Sequence, residues 1–240
     1  MAALVTLSAA HAAAQDRWTV DFETGLVSTG YNDVRIPGDT GTQFSLTDEL
    51  TTDRQAFWRV RADIRIAPRH VVSALAAPLT LHASGTINRP IVFFEEQFPA
   101  NVPLEATYQF NSYRLTYRYE FLQREKWRFG IGITAKVRDA ITRIEGAGRS
   151  ETKTNVGFVP LVNFRLERTL SDRLALLLEG DALAAPQGRA EDVLAALLIS
   201  LNRNASLKLG YRLLEGGADV DEVYTFTLVH YLSVGATIRF

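Results

Sequence analysis

Trp58-Arg59-Val60-Arg61-Ala62-Asp63-Ile64-Arg65-Ile66 decides the fold, because every even position is apolar and every odd one is charged. A helix would scatter these residues around its circumference. A strand puts all the apolar side chains on one face and all the charges on the other. Tyr113-Arg114-Leu115-Thr116-Tyr117-Arg118-Tyr119-Glu120-Phe121 repeats the pattern with aromatics. A third row runs through Trp127, Phe129, Ile131, Ile133, Ala135 and Val137, opposite Arg128, Gly130, Gly132, Thr134, Lys136 and Arg138.

Extending this reading along the chain predicts ten strands, near 16–30, 54–67, 70–85, 105–122, 126–142, 153–169, 173–186, 190–202, 205–215 and 222–240. Tight connections follow the second, fourth, sixth and eighth strands, at Pro68-Arg69, Gln123-Arg124-Glu125, Leu170-Ser171-Asp172 and Arg203-Asn204. Longer ones are expected after the first, third, fifth and ninth, and the one after the seventh, near Pro186-Gln187-Gly188, is short. An even strand count with short turns at one end and long loops at the other predicts an all-β fold, a single antiparallel up-and-down transmembrane barrel. Residues 15–240 then form one domain, with both termini on the short-turn side.

The chain has 240 residues, 47% hydrophobic and 22% charged, with 26 Lys+Arg against 27 Asp+Glu. This composition excludes a disordered chain. The balanced charge argues against nucleic-acid binding. No window of 18 uninterrupted apolar residues is present, so a membrane-spanning helix is excluded. With no Cys there is no disulfide, thiol nucleophile or Cys-zinc site. Residues 1–14 read as an export signal: an apolar run from Ala2 to Leu7, then small residues that fit a cleavage site near Ala14. The basic start of such a signal is missing, which points to a start codon further upstream.

Alternation alone leaves two orientations open, a soluble lipocalin-like barrel with its apolar face inside and a membrane barrel with that face outside. Aromatics at strand ends (Trp18, Trp58, Phe121 and Trp127) favour the second, as interface girdles. So does the final strand, where Leu232, Val234, Ala236 and Ile238 precede Phe240.

That last strand resembles the closing strand of Gram-negative outer-membrane β-barrels, which ends in an aromatic read by the barrel-assembly machinery. Phe110-Asn111-Ser112-Tyr113-Arg114-Leu115-Thr116-Tyr117-Arg118-Tyr119 and Gly210-Tyr211-Arg212-Leu213-Leu214-Glu215-Gly216-Gly217-Ala218-Asp219 also look like segments of this class. The resemblance implies an outer-membrane location, contact with lipid and lipopolysaccharide, and Phe240 as the assembly signal. It implies no catalytic residue and no cofactor.

With the apolar rows in lipid, the alternate rows enter the lumen. Twelve of their side chains are basic: Arg59, Arg61, Arg65, Arg114, Arg118, Arg128, Lys136, Arg138, Arg165, Lys208, Arg212 and Arg239. Eight are acidic: Asp21, Glu23, Asp63, Glu120, Glu167, Glu179, Asp181 and Asp192. Barrels of about eight strands are filled by side chains, whereas open channels need about sixteen. A ten-stranded lumen is therefore expected to close as an ion-pair network, with a positive surplus that would make any leak anion-preferring.

Candidates for chemistry are sparse. His82-Ala83-Ser84 is similar to the His-x-Ser pair of outer-membrane lipid A deacylases, in which His activates a Ser nucleophile. His230, with Asp219, Asp221 and Glu222 nearby in sequence, is similar to the acid-His rim of omptin proteases. The stretch 215–222 offers carboxylates to a cation but lacks EF-hand spacing, and its glycines read as turn residues. His70 beside the Pro68-Arg69 turn reads as solvated. No Gly-rich phosphate loop, His-Glu-x-x-His or Gly-x-Ser-x-Gly occurs. The expectation is a non-enzymatic outer-membrane barrel with a structural role or a binding role carried by loops 31–53, 86–104 and 143–152. The alternatives are a rim hydrolase and a narrow pore.

Overall fold

Each alternating run becomes a strand in the computed structural model, which describes residues 17–240. The expected signal segment, 1–14, lies outside the described residues. In chain order the elements are β1 (Trp18–Arg35), β2 (Phe44–Ser45), β3 (Thr51–Thr52), β4 (Gln55–Ala67), β5 (His70–Ala77), β6 (Thr80–Thr86), β7 (Ile91–Phe93) and β8 (Glu96–Phe98). They continue as β9 (Pro103–Gln123), β10 (Trp127–Gly146), β11 (Arg149–Thr169), β12 (Leu174–Ala185), β13 (Gly188–Ser200), β14 (Ala205–Val220) and β15 (Val223–Arg239).

The long strands close on themselves. Antiparallel pairing runs from β10 through β11, β12, β13, β14, β15, β1, β4 and β5 to β9, and β9 pairs back onto β10. Closure of the ring leaves no free first or last strand, the condition for strands to cross hydrocarbon. At the terminal end, Phe240 donates its N–H to the Trp18 carbonyl at 2.9 Å, fastening the last residue to the first strand. The third of the ten staves is two strands rather than the continuous 70–85 expected. Pro78, between β5 and β6, has no N–H to give a ladder; β6 resumes pairing with β9 at Thr80–Gln109.

The loops at the far end differ from the expectation. Residues 143–152 are strand, and β10 meets β11 through Ala147 and Gly148 alone. β14 meets β15 through Asp221 and Glu222, so Gly216 and Gly217 are strand residues and not turn residues. Close approach accounts for Gly217, where a Cβ would stand 1.9 Å from the Thr225 carbonyl oxygen. The two long connections that remain, 36–54 and 87–102, carry β2, β3 and the β7–β8 hairpin.

Along one strand, the polarity of the two faces exchanges. In β9, Tyr113, Leu115, Tyr117, Tyr119 and Phe121 point outward and are exposed, while Arg114, Thr116, Arg118 and Glu120 are buried within. Nearer the loop end of the same strand, Leu104, Ala106 and Tyr108 are the buried inward residues, and Glu105 and Thr107 face out. Outward Asp139 of β10 accepts from Gln109 and Asn111 at 3.3 and 3.1 Å, at the changeover. The outward apolar run from Tyr113 to Phe121 covers nine residues, and a tilted strand needs about 9–11 to cross the hydrocarbon. Apolar side chains as exposed as Ile133 and Leu232, both 69%, form a band that water alone would not stabilise.

Gly25 tests how tightly the ring is drawn. It has φ of +145°, and a Cβ there would lie 2.0 Å from the Leu232 carbonyl oxygen across the β1–β15 pair. Gly25→Ala is expected to lose on the order of 1–3 kcal/mol, read as a lower urea midpoint for the heat-modifiable gel mobility shift of the folded barrel.

Candidate functional site

The barrel interior divides into a charged lower half and an apolar upper one. Asp192 of β13 is the hub of the lower half. Its Oδ2 accepts from Arg59 at 2.9 Å and Arg114 at 2.5 Å, and its Oδ1 accepts from Arg212 at 2.5 Å. Arg212 also holds Glu23 through a two-pronged contact at 2.8 and 2.9 Å. Lys208 lies between Asp21 at 2.5 Å and Glu23 at 3.0 Å. Arg61 reaches Glu179 at 2.5 Å and Asp63 at 3.8 Å, and Arg165 shares Glu179 and meets Glu167 at 3.3 Å. Asp181 is held by Arg114 at 2.7 Å, Thr134 at 2.6 Å and Asn163 at 2.9 Å. Side chains from opposite walls therefore meet mid-lumen. Arginine suits this arrangement because its planar fork satisfies two carboxylates at once.

Below the network a vestibule of about 500 Å³ opens at the terminal end, lined by Arg17, Arg128, Arg203 and Arg239 among others, with Arg65 paired to Glu120 at 3.0 Å. Among the network side chains lies a cavity of about 30 Å³, room for about one water. Five cations of the sequence-predicted set have no carboxylate within 4.0 Å among the described residues: Arg118, Arg128 and Arg239 at the vestibule, and Lys136 and Arg138 higher in the lumen.

Sequence reasoning missed the upper half. Residues 36–54 and 87–102 fold into the mouth and bury Ile36, Phe44, Leu46, Leu50, Ile91, Phe93 and Phe98 against inward residues of the wall. Phe44 and Phe93 meet edge to face at 6.3 Å, as do Phe57 and Tyr231 at 4.8 Å. Burying one such side chain is worth about 1.5–3 kcal/mol, so the two connections form a packed cap. The signal was visible as large apolar residues inside segments read as loops. Glu49 and Arg89 clamp the two segments together, and Arg89 also donates to the Gln43 carbonyl at 2.8 Å. The Arg89 hydrogen bond holds the Glu49 carboxyl below the usual carboxylate range.

The residues of the alternative, hydrolytic reading do not assemble. His82 and Ser84 both face outward on β6, and His82 Nδ1 contacts the Thr107 hydroxyl at 3.3 Å. His230 is outward on β15, with its Nδ1 2.5 Å from the Tyr211 hydroxyl. It stands opposite Leu213 on β14, while Asp219 is far along that strand, opposite Tyr224 and 3.9 Å from Arg35. Asp221 offers its backbone carbonyl to Gly38 at 2.8 Å. The stretch 215–220 is strand, so it forms no acidic loop, and Glu215 is engaged by Arg189 and Tyr31. Among the described residues no cluster of three or more His, Cys, Asp or Glu has the geometry to hold a metal. His70, read as solvated, contacts the Tyr117 hydroxyl at 2.7 Å in an exposed setting. Trp18, Phe121 and Trp127 are exposed near the terminal end, and Trp58 is exposed higher on the wall, paired with Thr24.

No protein-family model and no curated protein matches the chain. Solved structures do. The outer membrane protease OmpT from Escherichia coli superposes with a TM-score of 0.55 at 10% identity, over 94% of this chain and 97% of that one. The transport unit of the autotransporter AIDA-I from Escherichia coli gives 0.49 at 9%, over 93% and 90%. The attachment invasion locus protein Ail of Yersinia pestis gives 0.39 at 12%, over 93% and 99%. Identities this low speak for architecture alone. The chain has the ten-stranded antiparallel barrel fold found in Gram-negative outer-membrane proteins.

Two outcomes follow from these contacts. Asp192→Asn strands Arg59, which has no other carboxylate among the described residues, while Arg114 keeps Asp181 and Arg212 keeps Glu23. It is expected to cost about 3–5 kcal/mol, whereas Arg143→Met, which breaks an exposed pair with Glu145, costs about 0–1 kcal/mol; urea unfolding followed by gel mobility compares them. For the cap, a depressed Glu49 pKa means the clamp stabilises the closed loops above the ordinary value of 4.5 and is lost as pH falls through the folded-state value. Glu49→Gln is expected to raise the rate of protease cleavage within 43–50 several-fold at neutral pH. The difference from wild type should vanish in strong acid.

Proposed function

We propose that this chain is an integral outer-membrane protein of a Gram-negative bacterium, a sealed barrel whose role is structural or carried by binding at its extracellular surface. What supports this reading is that a charge network spans the lower lumen and an apolar cap packs into the mouth. Either would stop ions, since the cavity among the network side chains has room for about one water and the cap buries its aromatic side chains in the mouth. The outward apolar band and its aromatic borders favour lipid outside, with lipopolysaccharide as the surrounding outer-leaflet partner. Phe240, hydrogen-bonded to Trp18 at the ring closure, suits the role of signal to the barrel-assembly machinery.

A hydrolytic role, suggested by the name of the Escherichia coli protease, finds no support at the rim: His82 and His230 lie outward on hydroxyl partners, apart from any carboxylate pair. Binding is assigned to the outer faces of 36–54 and 87–102, because loops on a rigid scaffold carry recognition.

The test is a planar bilayer recording on the purified, folded full chain. Wild type is expected to be silent. A steady conductance would overturn the sealed reading, and a cation-selective one would also overturn the assignment of faces. His82→Ala and His230→Ala are expected to leave the heat-modifiable gel shift unchanged.

A further inference from the structure

The wall of the barrel is incomplete between β11 and β12. The β11–β12 ladder runs from Thr169–Ala175 up to Val162–Ala182 and stops there. β11 nevertheless continues to Arg149, and β12 to Ala185. The same register would set Pro160 opposite Ala184 and Val159 opposite Ala185. Pro160 has no N–H to contribute and sits where the ladder parts. From Arg149 to Leu161, β11 is paired with β10 alone. Its outward side chains along this unpaired edge include Val156 and Phe158, 71% and 67% exposed. The seam begins about nine residues above the terminal end of β11, the length of strand that crosses the hydrocarbon, so it lies at the outer-leaflet surface.

Behind the seam is a cavity of about 240 Å³, bordered by Phe158, Pro160 and Leu183 from the seam and by Tyr108, Lys136 and Arg138 from within. Lys136 is buried at 3% exposure. Its ammonium lies 4.6 Å from the Phe110 ring centroid. Arg138 gives one Nη to Asn155, and its buried Nε has no partner. The other deep cations (Arg59, Arg61, Arg114, Arg165, Lys208 and Arg212) each meet a carboxylate. Arg118, Arg128 and Arg239, also without one, face the vestibule instead. Two cations with no carboxylate within 4.0 Å among the described residues thus share one partly apolar cavity beside the unpaired stretch of wall. Glu191 and Glu215 also border the cavity, but Glu215 is committed to Arg189.

A buried charge without a counter-charge costs several kcal/mol, and an arriving anion would offset it. The apolar border adds a second requirement, a hydrocarbon chain to cover Phe158 and Leu183. We propose that the β11–β12 seam admits a single-chain amphipathic carboxylate from the outer leaflet, with its head group bound by Lys136 and Arg138 and its chain lying in the seam. The proposal rests on the membrane orientation argued above, and insertion into bilayer discs tests that orientation separately.

The experiment uses the full chain in phosphatidylcholine nanodiscs, with carboxyl-labelled dodecanoate observed by carbon-13 NMR. Wild type is expected to give a saturable protein-bound carboxyl resonance, absent from empty discs, that dodecanol does not displace. Lys136→Met is expected to weaken binding roughly tenfold or more, the scale of one lost charge-assisted hydrogen bond, while Lys136→Arg retains it. Removing an uncompensated buried cation should not unfold the barrel, and the heat-modifiable gel shift verifies that each variant is folded. A paired Val159→Cys and Ala185→Cys variant, in a chain with no other cysteine, bridges the seam on oxidation, with loss of free thiol as the check that the bond has formed; loading by the bridged chain should slow several-fold and recover with dithiothreitol. A bound signal equal in wild type and Lys136→Met, or equal to that of empty discs, overturns the site. Loading that the oxidised disulfide does not slow overturns the lateral route from the leaflet. Failure of the chain to enter the discs would instead overturn the membrane reading itself.

Discussion

A closed ring of strands with hydrocarbon on its outer face has one place to put its charges, and that constraint organises the molecule. Nearly every strand contributes ionic side chains to the inside, where partial burial makes an unpaired ion costly and a shared one tolerable. Asp192 receives three guanidinium groups, from β4, β9 and β14, and so ties walls that make no ladder contact with one another. Such a hub does not have to beat an apolar core in stability. It has to leave no charge stranded, and through most of the lower lumen it does so.

The ring itself was legible because alternation survives wherever one face meets lipid. Residues 113–121 read as strand from their pattern alone, and the same holds for 58–66. Legibility fails above the membrane, where both faces of a strand meet polar surroundings or a cap. Arg143, Glu145 and Glu151 look like a loop, yet they are paired across β10 and β11. Gly216 and Gly217 look like a turn, yet they mark a place where neighbouring backbones approach too closely for a Cβ. The ion pairs were out of reach for another reason. Strand phase says which side chains enter the lumen, but only the ring order brings Arg114 to Asp192, 78 residues later.

The exchange of face polarity along β9 has a physical reading that extends to the cap. Below Asn111 the outer solvent is lipid and the inner one is ionic; above it the outer solvent is water and the inner one is apolar protein. The loops 36–54 and 87–102 supply that apolar interior, which is why their large residues are buried although the segments are irregular. A sequence reader who tracked which phase carries the hydrophobes, and looked for the point of exchange, would have located both the membrane border and the need for something to fill the mouth. His82 and Ser84 fall above that point on β6, which explains their exposed, polar setting without any catalytic demand.

The same reasoning sets the seam between β11 and β12 apart from ordinary imperfection. A wall that fails to pair leaves backbone groups without partners, a cost most severe in hydrocarbon. Here the break comes at Pro160, which has one fewer group to satisfy, and near the border where water can reach the rest. Lys136 lies just inside the break, in phase with the lumen row, yet it is separated from the acids that neutralise its neighbours. Had the cavity served only to seal, an apolar residue at 136 would have packed against Phe110 at no electrostatic cost. A lysine there makes sense if the missing charge arrives from outside.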